Sequence, residues 1–98
     1  MRIPTSVTIN GCEIHIQFRH NLVRDLKEYG QYSAIDMTIT IDADISDQKK
    51  EVIFFHELIE AIKDVYLIED EKFDHSSIQP VAMALYELII TKQIIAED

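Results

Sequence analysis

The sequence predicts an α+β protein in which a small antiparallel sheet of three to four strands is followed by two packed helices. Apolar residues tend to alternate with polar ones over residues 3–41, which is typical of strands with one buried face. From Ser46 onward the apolar residues recur at helical spacing instead. A length of 98 residues with 47% hydrophobic side chains suits one compact core. We therefore expect a single domain over residues 1–98.

The first two strands are predicted to form a hairpin around Asn10-Gly11, since both residues tolerate a positive φ. Apolar residues occupy alternate positions on either side of it: Ile3, Val7 and Ile9 before it, and Cys12, Ile14, Ile16 and Phe18 after it. Residues 20–30 are mostly polar and fit either a loop or a short helical turn. A turn over residues 33–36 then leads into a strand rich in β-branched residues, from Met37 to Ile41.

Two helices are predicted to follow the strands. Ser46 and Asp47 suit the cap and first turn of the first helix, which continues without Gly or Pro through residue 68. Residues 69–71 form an acidic connector. Ser76 and Gln79 have the spacing of a capping box, so we expect Ser76 to cap the second helix. Its apolar positions repeat at helical spacing: Val81, Leu85, Leu88 and Ile95.

The composition excludes several classes of function. Asp and Glu number 18 against 9 Lys and Arg, a formal net charge of −9, so no clustered cations are present to bind nucleic acid phosphates or an anionic membrane. The longest apolar stretch, Val81 to Tyr86, is far shorter than the ~20 residues of a membrane span. The first nine residues do not resemble a signal peptide. Cys12 is the single cysteine, which fits a reducing cytoplasm.

One segment of the first predicted helix has the spacing of a metal site. His56 and Glu60 are four residues apart and therefore share one face of the helix. This is the spacing of the helical ligands in H-E-x-x-H zinc proteases, with Glu in place of the second His. Glu57 follows His56, at the position of the general base. The same face is also the polar side of the helix, so an exposed His–Glu pair on a solvated surface is the alternative.

A third ligand is available in His75, near the start of the second predicted helix. If the two helices form an antiparallel hairpin, the connector returns His75 toward His56 and Glu60. Two imidazoles and one carboxylate leave the fourth position of a zinc ion open for water, which is the catalytic arrangement. The alternative is an ordinary histidine at the start of a helix.

These motifs resemble a group of small zincin-like proteins encoded by phages, prophages and other bacterial mobile elements. Three elements match in order: Met37, Ile39, Ile41 and Asp42; then His56, Glu57 and Glu60; then His75, Ile78, Ala84, Leu85 and Tyr86. The resemblance implies a minimal zincin core with zinc as cofactor. It also implies His56, Glu60 and His75 as metal ligands and Glu57 as general base.

The sequence therefore leaves two candidate functions. The first is a zinc-dependent metallohydrolase, peptidase-like, which acts on a peptide or protein substrate. The second is a non-catalytic acidic module that keeps a degenerate zincin-like fold and binds a basic partner, as the charge of −9 would favour.

Overall fold

The computed structural model describes residues 2–91 and 93, and over this part of the chain it confirms the α+β class. The elements are, in order, β1 (Ser6–Ile9), β2 (Cys12–Arg19), α1 (Leu22–Leu26), β3 (Gly30–Ser33), β4 (Thr38–Asp42), α2 (Asp47–Val65) and α3 (His75–Ile90). The predicted helical position of Ile95 lies outside the described residues. None of the described helices is both long enough and apolar enough to cross a membrane.

The sheet is mixed, so the prediction that all its strands are antiparallel is wrong at one pair. The strand order is β1-β2-β4-β3, and β2 and β4 at the centre run parallel, with Ile16 beside Ile39. The outer pairs, β1 with β2 and β3 with β4, are antiparallel. A parallel pair needs a connection of roughly a dozen residues or more, which residues 20–37 provide. Alternating apolar residues predict the strands but not the direction of their neighbours.

Both predicted turns are present. Asn10 and Gly11 adopt φ values of 48° and 78°, and Ile9 pairs with Cys12 across the hairpin. Residues 34–37 form the turn between β3 and β4. Met37 belongs to this turn, with a φ of 51°, rather than to the strand in which its apolar side chain suggested it would lie.

The ambiguous segment 20–30 contains α1, a third helix that the predicted architecture lacked. Its start is tied to the end of β4 by two carboxylates. Asp42 Oδ2 accepts a hydrogen bond from the Val23 amide at 3.0 Å, and Asp44 Oδ2 accepts one from the Asn21 amide at 2.8 Å. Asp42 is almost fully buried, so the bond from Val23 satisfies a carboxylate that would be costly to leave unpaired. Helix α1 thereby closes the connection between the parallel strands.

The core lies between one face of the sheet and the helices α2 and α3. Helix α2 contacts β3 and β4, and α3 packs along α2. The buried apolar side chains are Ile14, Ile16, Ile39, Ile41, Phe54, Phe55, Ile59, Ala61, Ile78, Ala82 and Tyr86. Phe18 was predicted to share the inward face of β2, but it is 47% exposed, and Lys50 Nζ lies 5.7 Å from its ring.

The sequence predicted the N-terminal cap of α2 correctly but not that of α3. Ser46 caps α2 as expected, because its side chain accepts a hydrogen bond from the Lys49 amide at 3.2 Å. The prediction that Ser76 caps the second helix is wrong. Asp74 is the cap, and its carboxylate accepts from the Ser77 amide at 3.1 Å and from the Ser76 hydroxyl at 2.6 Å. The earlier start puts His75 in the first turn of α3.

Two isoleucines, one in the turn between β3 and β4 and one in β4, test the position of the core. Ile39→Ala empties a fully buried site, and we expect the free energy of unfolding to fall by about 2–5 kcal/mol. Ile35→Ala is the matched control, because Ile35 is 95% exposed and its loss should cost less than about 0.5 kcal/mol. Urea denaturation followed by circular dichroism measures both. Equal effects of the two substitutions would contradict this placement of the core.

Candidate functional site

A cleft opens where α2, the first turns of α3 and strand β3 meet. Its volume is about 590 Å³. Its lining includes Tyr32 from strand β3 and five polar side chains from the two helices: His56, Glu57, Glu60, His75 and Gln79. All four residues that the sequence singled out for a metal site therefore line the same cleft.

The two long helices run antiparallel and present matching polar pairs to each other. His56 and Glu60 are four residues apart on α2, and His75 and Gln79 are four residues apart on α3. His56 Nδ1 lies 2.7 Å from Gln79 Oε1, and His75 Nδ1 lies 3.9 Å from Glu60 Oε2. The two imidazole rings meet edge to face, with 5.5 Å between their centroids. The helical hairpin thus brings His75 back to His56 and Glu60.

The polar arc of α2, which carries His56, Glu57 and Glu60, is largely covered by neighbouring elements rather than exposed to solvent. Side-chain exposure is 16% for His56 and 11% for Glu57, whereas it is 32% for Glu60 and 75% for His75. His56 and Glu60 each contact α3, so the alternative of a fully exposed pair on one helix does not describe them. The site therefore has a buried floor, formed by His56 and Glu57, and an open rim at His75.

Glu57 is the most perturbed acid of the cleft. Burial, and then the negative charges of Glu60 and Glu28, raise the pKa of Glu57 from 4.5 to about 7, while a hydrogen bond from the Tyr32 backbone amide acts in the opposite direction. Strand β3 passes close above this carboxylate because residue 30 is glycine. A Cβ at Gly30 would collide with the Ile53 side chain and lie 3.2 Å from Glu57 Cγ.

A second cleft of about 520 Å³ adjoins the first, and Tyr32 and Glu60 line both. The Tyr32 hydroxyl donates to Asp64 Oδ2 at 2.8 Å; burial and this carboxylate raise the pKa of Tyr32 to about 12. Lys63 is buried and donates to Asp70 Oδ1 at 2.7 Å, so its charge is paired within the protein. Acidic side chains therefore dominate the wall of this second cleft.

The donor types of the first cleft suit zinc, but their present positions do not enclose an ion. Imidazole nitrogen and carboxylate oxygen bind zinc at roughly 2.0–2.2 Å, so two donors on one ion lie about 3.3 Å apart. His75 and Glu60 are further apart than this, at 3.9 Å. Within residues 2–91 and 93, no three His, Cys, Asp or Glu side chains are arranged to hold a metal ion. His75 is exposed enough to change rotamer.

Several residues of the cleft walls were not among the predicted site residues. Gln79 was assigned to a capping box, yet its side chain contacts His56. The spacing of His75 and Gln79, which matches that of His56 and Glu60, is a signal that could have indicated the contact. Tyr32 and Gly30 come from a strand far away in sequence, and no local pattern connects them with α2.

Comparisons with protein-family models, with curated proteins and with solved structures give no match to the chain.

The raised pKa of Glu57 predicts how the stability of the metal-free protein depends on pH. The folded state holds the Glu57 proton up to about pH 7, whereas the unfolded chain releases it near pH 4.5. This contribution to stability is therefore fully present below pH 4.5 and is lost as the pH rises through about 7. Glu57→Gln should remove the loss, making the variant more stable than the wild type at about pH 8 by up to roughly 3 kcal/mol.

Urea denaturation in the presence of a chelator, at about pH 5 and pH 8, measures this difference. The two proteins should converge toward the lower pH. Glu13→Gln is the control, because Glu13 is exposed on β2 and its loss should not change the pH dependence. A wild-type protein that gains stability relative to Glu57→Gln between these pH values would show that Glu57 is not held protonated by burial.

Proposed function

We propose that the protein is a zinc-dependent hydrolase of the small zincin-like type, peptidase-like and cytoplasmic. His56, Glu60 and His75 would hold the metal, and Glu57 would act as general base. The observation that carries this proposal is the convergence of these four side chains on one cleft. Two helices contribute them, and the resemblance of the sequence to zincin-like proteins assigns the same roles to the same residues.

The donor set supports zinc in particular. Two imidazoles and one carboxylate are the ligand types of catalytic zinc sites that keep one position for water. The partial burial of His56 and Glu60 limits competition from solvent, and the exposed His75 leaves the rim open to a substrate. A zinc ion bound there would supply Lewis-acid activation of a water molecule.

The chain's own residues account for the remaining requirements. Glu57 follows the first ligand and faces the cleft, where its carboxylate can accept a proton from an attacking water. The hydrogen bond from the Tyr32 amide keeps this carboxylate under β3. His56 is held by Gln79, and the low exposure of the cleft floor excludes bulk water from around Glu57.

A second candidate is the non-catalytic acidic module, and the neighbouring cleft favours it. Four carboxylates line that cleft, Glu60, Asp64, Glu69 and Asp70, and its lysine is already paired with Asp70. A basic partner would be attracted by this wall and by the net charge of −9. Such binding would weaken strongly with salt and would not respond to chelators. Binding that survives high salt and disappears with EDTA would contradict it.

Metal content tests the proposed ligands. Untagged protein purified without chelator and incubated with zinc should hold one zinc per chain, measured by elemental analysis after desalting. His56→Ala and His75→Ala should both lose it, because each removes one of three ligands. His15→Ala is the matched control, since His15 is exposed on β2 and should leave the zinc content unchanged. Absence of zinc from the wild type would overturn the proposal.

Activity tests the general base. Glu57→Gln should keep the zinc but lower the hydrolysis of a pooled quenched-fluorescence peptide library by about 10²-fold or more. Glu13→Gln is the control: Glu13 is exposed on β2, away from the cleft, so the activity of this variant should stay within a few-fold of wild type. If Glu57→Gln hydrolysed the peptides as fast as wild type, Glu57 would not be the base.

A further inference from the structure

We infer that Gln79 is a positioning residue, which holds the His56 imidazole in the tautomer that leaves Nε2 free to bind the metal. The inference rests on the proposed function for the role of His56 as a ligand. The assignment of the His56 proton to Nδ1 rests on the structure alone. Nothing in the resemblance to zincin-like proteins involves Gln79.

The tautomer follows from the contact itself. Gln79 Oε1 is a carbonyl oxygen, which accepts hydrogen bonds and cannot donate them. At 2.7 Å from it, His56 Nδ1 must therefore carry the proton and donate. A neutral imidazole has a single N–H, so Nε2 then has a free lone pair. A histidine that binds zinc almost always donates its other ring N–H to an oxygen in this way.

The surroundings of the ring make this contact selective. The His56 side chain is mostly buried and contacts α3, whereas Gln79 is exposed and its Oε1 reaches Nδ1 from the surface. The His56 and His75 rings meet edge to face, with 5.5 Å between their centroids, which limits the rotation of the His56 imidazole. Glu57 Oε2 is 4.0 Å from Nε2, beyond hydrogen-bond distance, so it does not compete for the proton. Gln79 is thus the side chain whose hydrogen bond selects the tautomer.

The backbone places Gln79 where it can act on His56. His75 and Gln79 are one helical turn apart on α3, as are Glu60 and His56 on α2, and the antiparallel packing brings each into register with its partner. The same face of α3 therefore supplies one proposed ligand and the oxygen that orients another. Any movement of α3 along α2 would disturb both contacts together.

Two variants at position 79 test this inference. Gln79→Leu keeps the size but removes the acceptor, whereas Gln79→Glu keeps an oxygen acceptor at the same reach. Long-range ¹H–¹⁵N spectra of the metal-free protein at about pH 8, where an ordinary histidine is neutral, report which nitrogen of His56 is protonated. Wild type and Gln79→Glu should show the proton on Nδ1. Gln79→Leu should show a population with the proton on Nε2.

Zinc affinity gives the second readout, by competition with a chromophoric chelator. Gln79→Leu should bind zinc about 10- to 100-fold more weakly than wild type, and Gln79→Glu should restore binding to within a few-fold. Gln93→Leu is the control, since the Gln93 side chain bonds Thr91 beyond the end of α3. Thermal unfolding of each variant shows that its fold is intact.

The outcomes separate this inference from the proposed function. If Gln79→Leu keeps the proton of His56 on Nδ1, the inference is overturned, whether or not zinc binds. If the tautomer changes as expected but wild type binds no zinc, the role of Gln79 toward His56 stands and the metal-dependent function is overturned. A change in tautomer together with weaker zinc binding supports both.

Discussion

Helix α2 is packed on two sides at once, against β3 and β4 on one side and α3 on the other, and the site depends on this constraint. A helix with a single neighbour would keep its polar arc in water. Here part of that arc is enclosed, so each polar side chain needs a partner or a shifted protonation equilibrium. His56 finds Gln79, and Glu57 accepts a hydrogen bond from β3 and keeps its proton to a higher pH.

The contacts between α2 and α3 form a ladder along the antiparallel hairpin. At the buried end, the Tyr86 hydroxyl donates to Glu51 at 2.9 Å. Further along, Gln79 meets His56, and Glu60 faces His75 at the open end. The ladder thus passes from an enclosed structural hydrogen bond to an exposed pair of side chains. The cleft lies at the open end, where His56 is held in place by Gln79 and His75 is accessible to solvent.

The two candidate functions draw on different parts of the same surface. The metal-dependent proposal needs the floor of the cleft, where burial limits the hydration of His56 and Glu57. The binding module needs the neighbouring wall, where carboxylates outnumber cations and Lys63 is already paired. Glu60 and Tyr32 line both clefts, so the two surfaces are continuous. A substrate with a basic segment would meet both of them.

Local spacing and backbone preference were enough to predict the α+β class, the hairpin at Asn10-Gly11, the start of α2 at Ser46 and the shared helix face of His56, Glu57 and Glu60. Local patterns did not predict the parallel pairing of β2 with β4, the burial of Glu57 beneath β3 or the contact of Gln79 with His56. These depend on contacts between residues far apart in the chain. The periodicity of one segment shows which face is apolar, but not which neighbour will cover it or how far it will enclose the polar face.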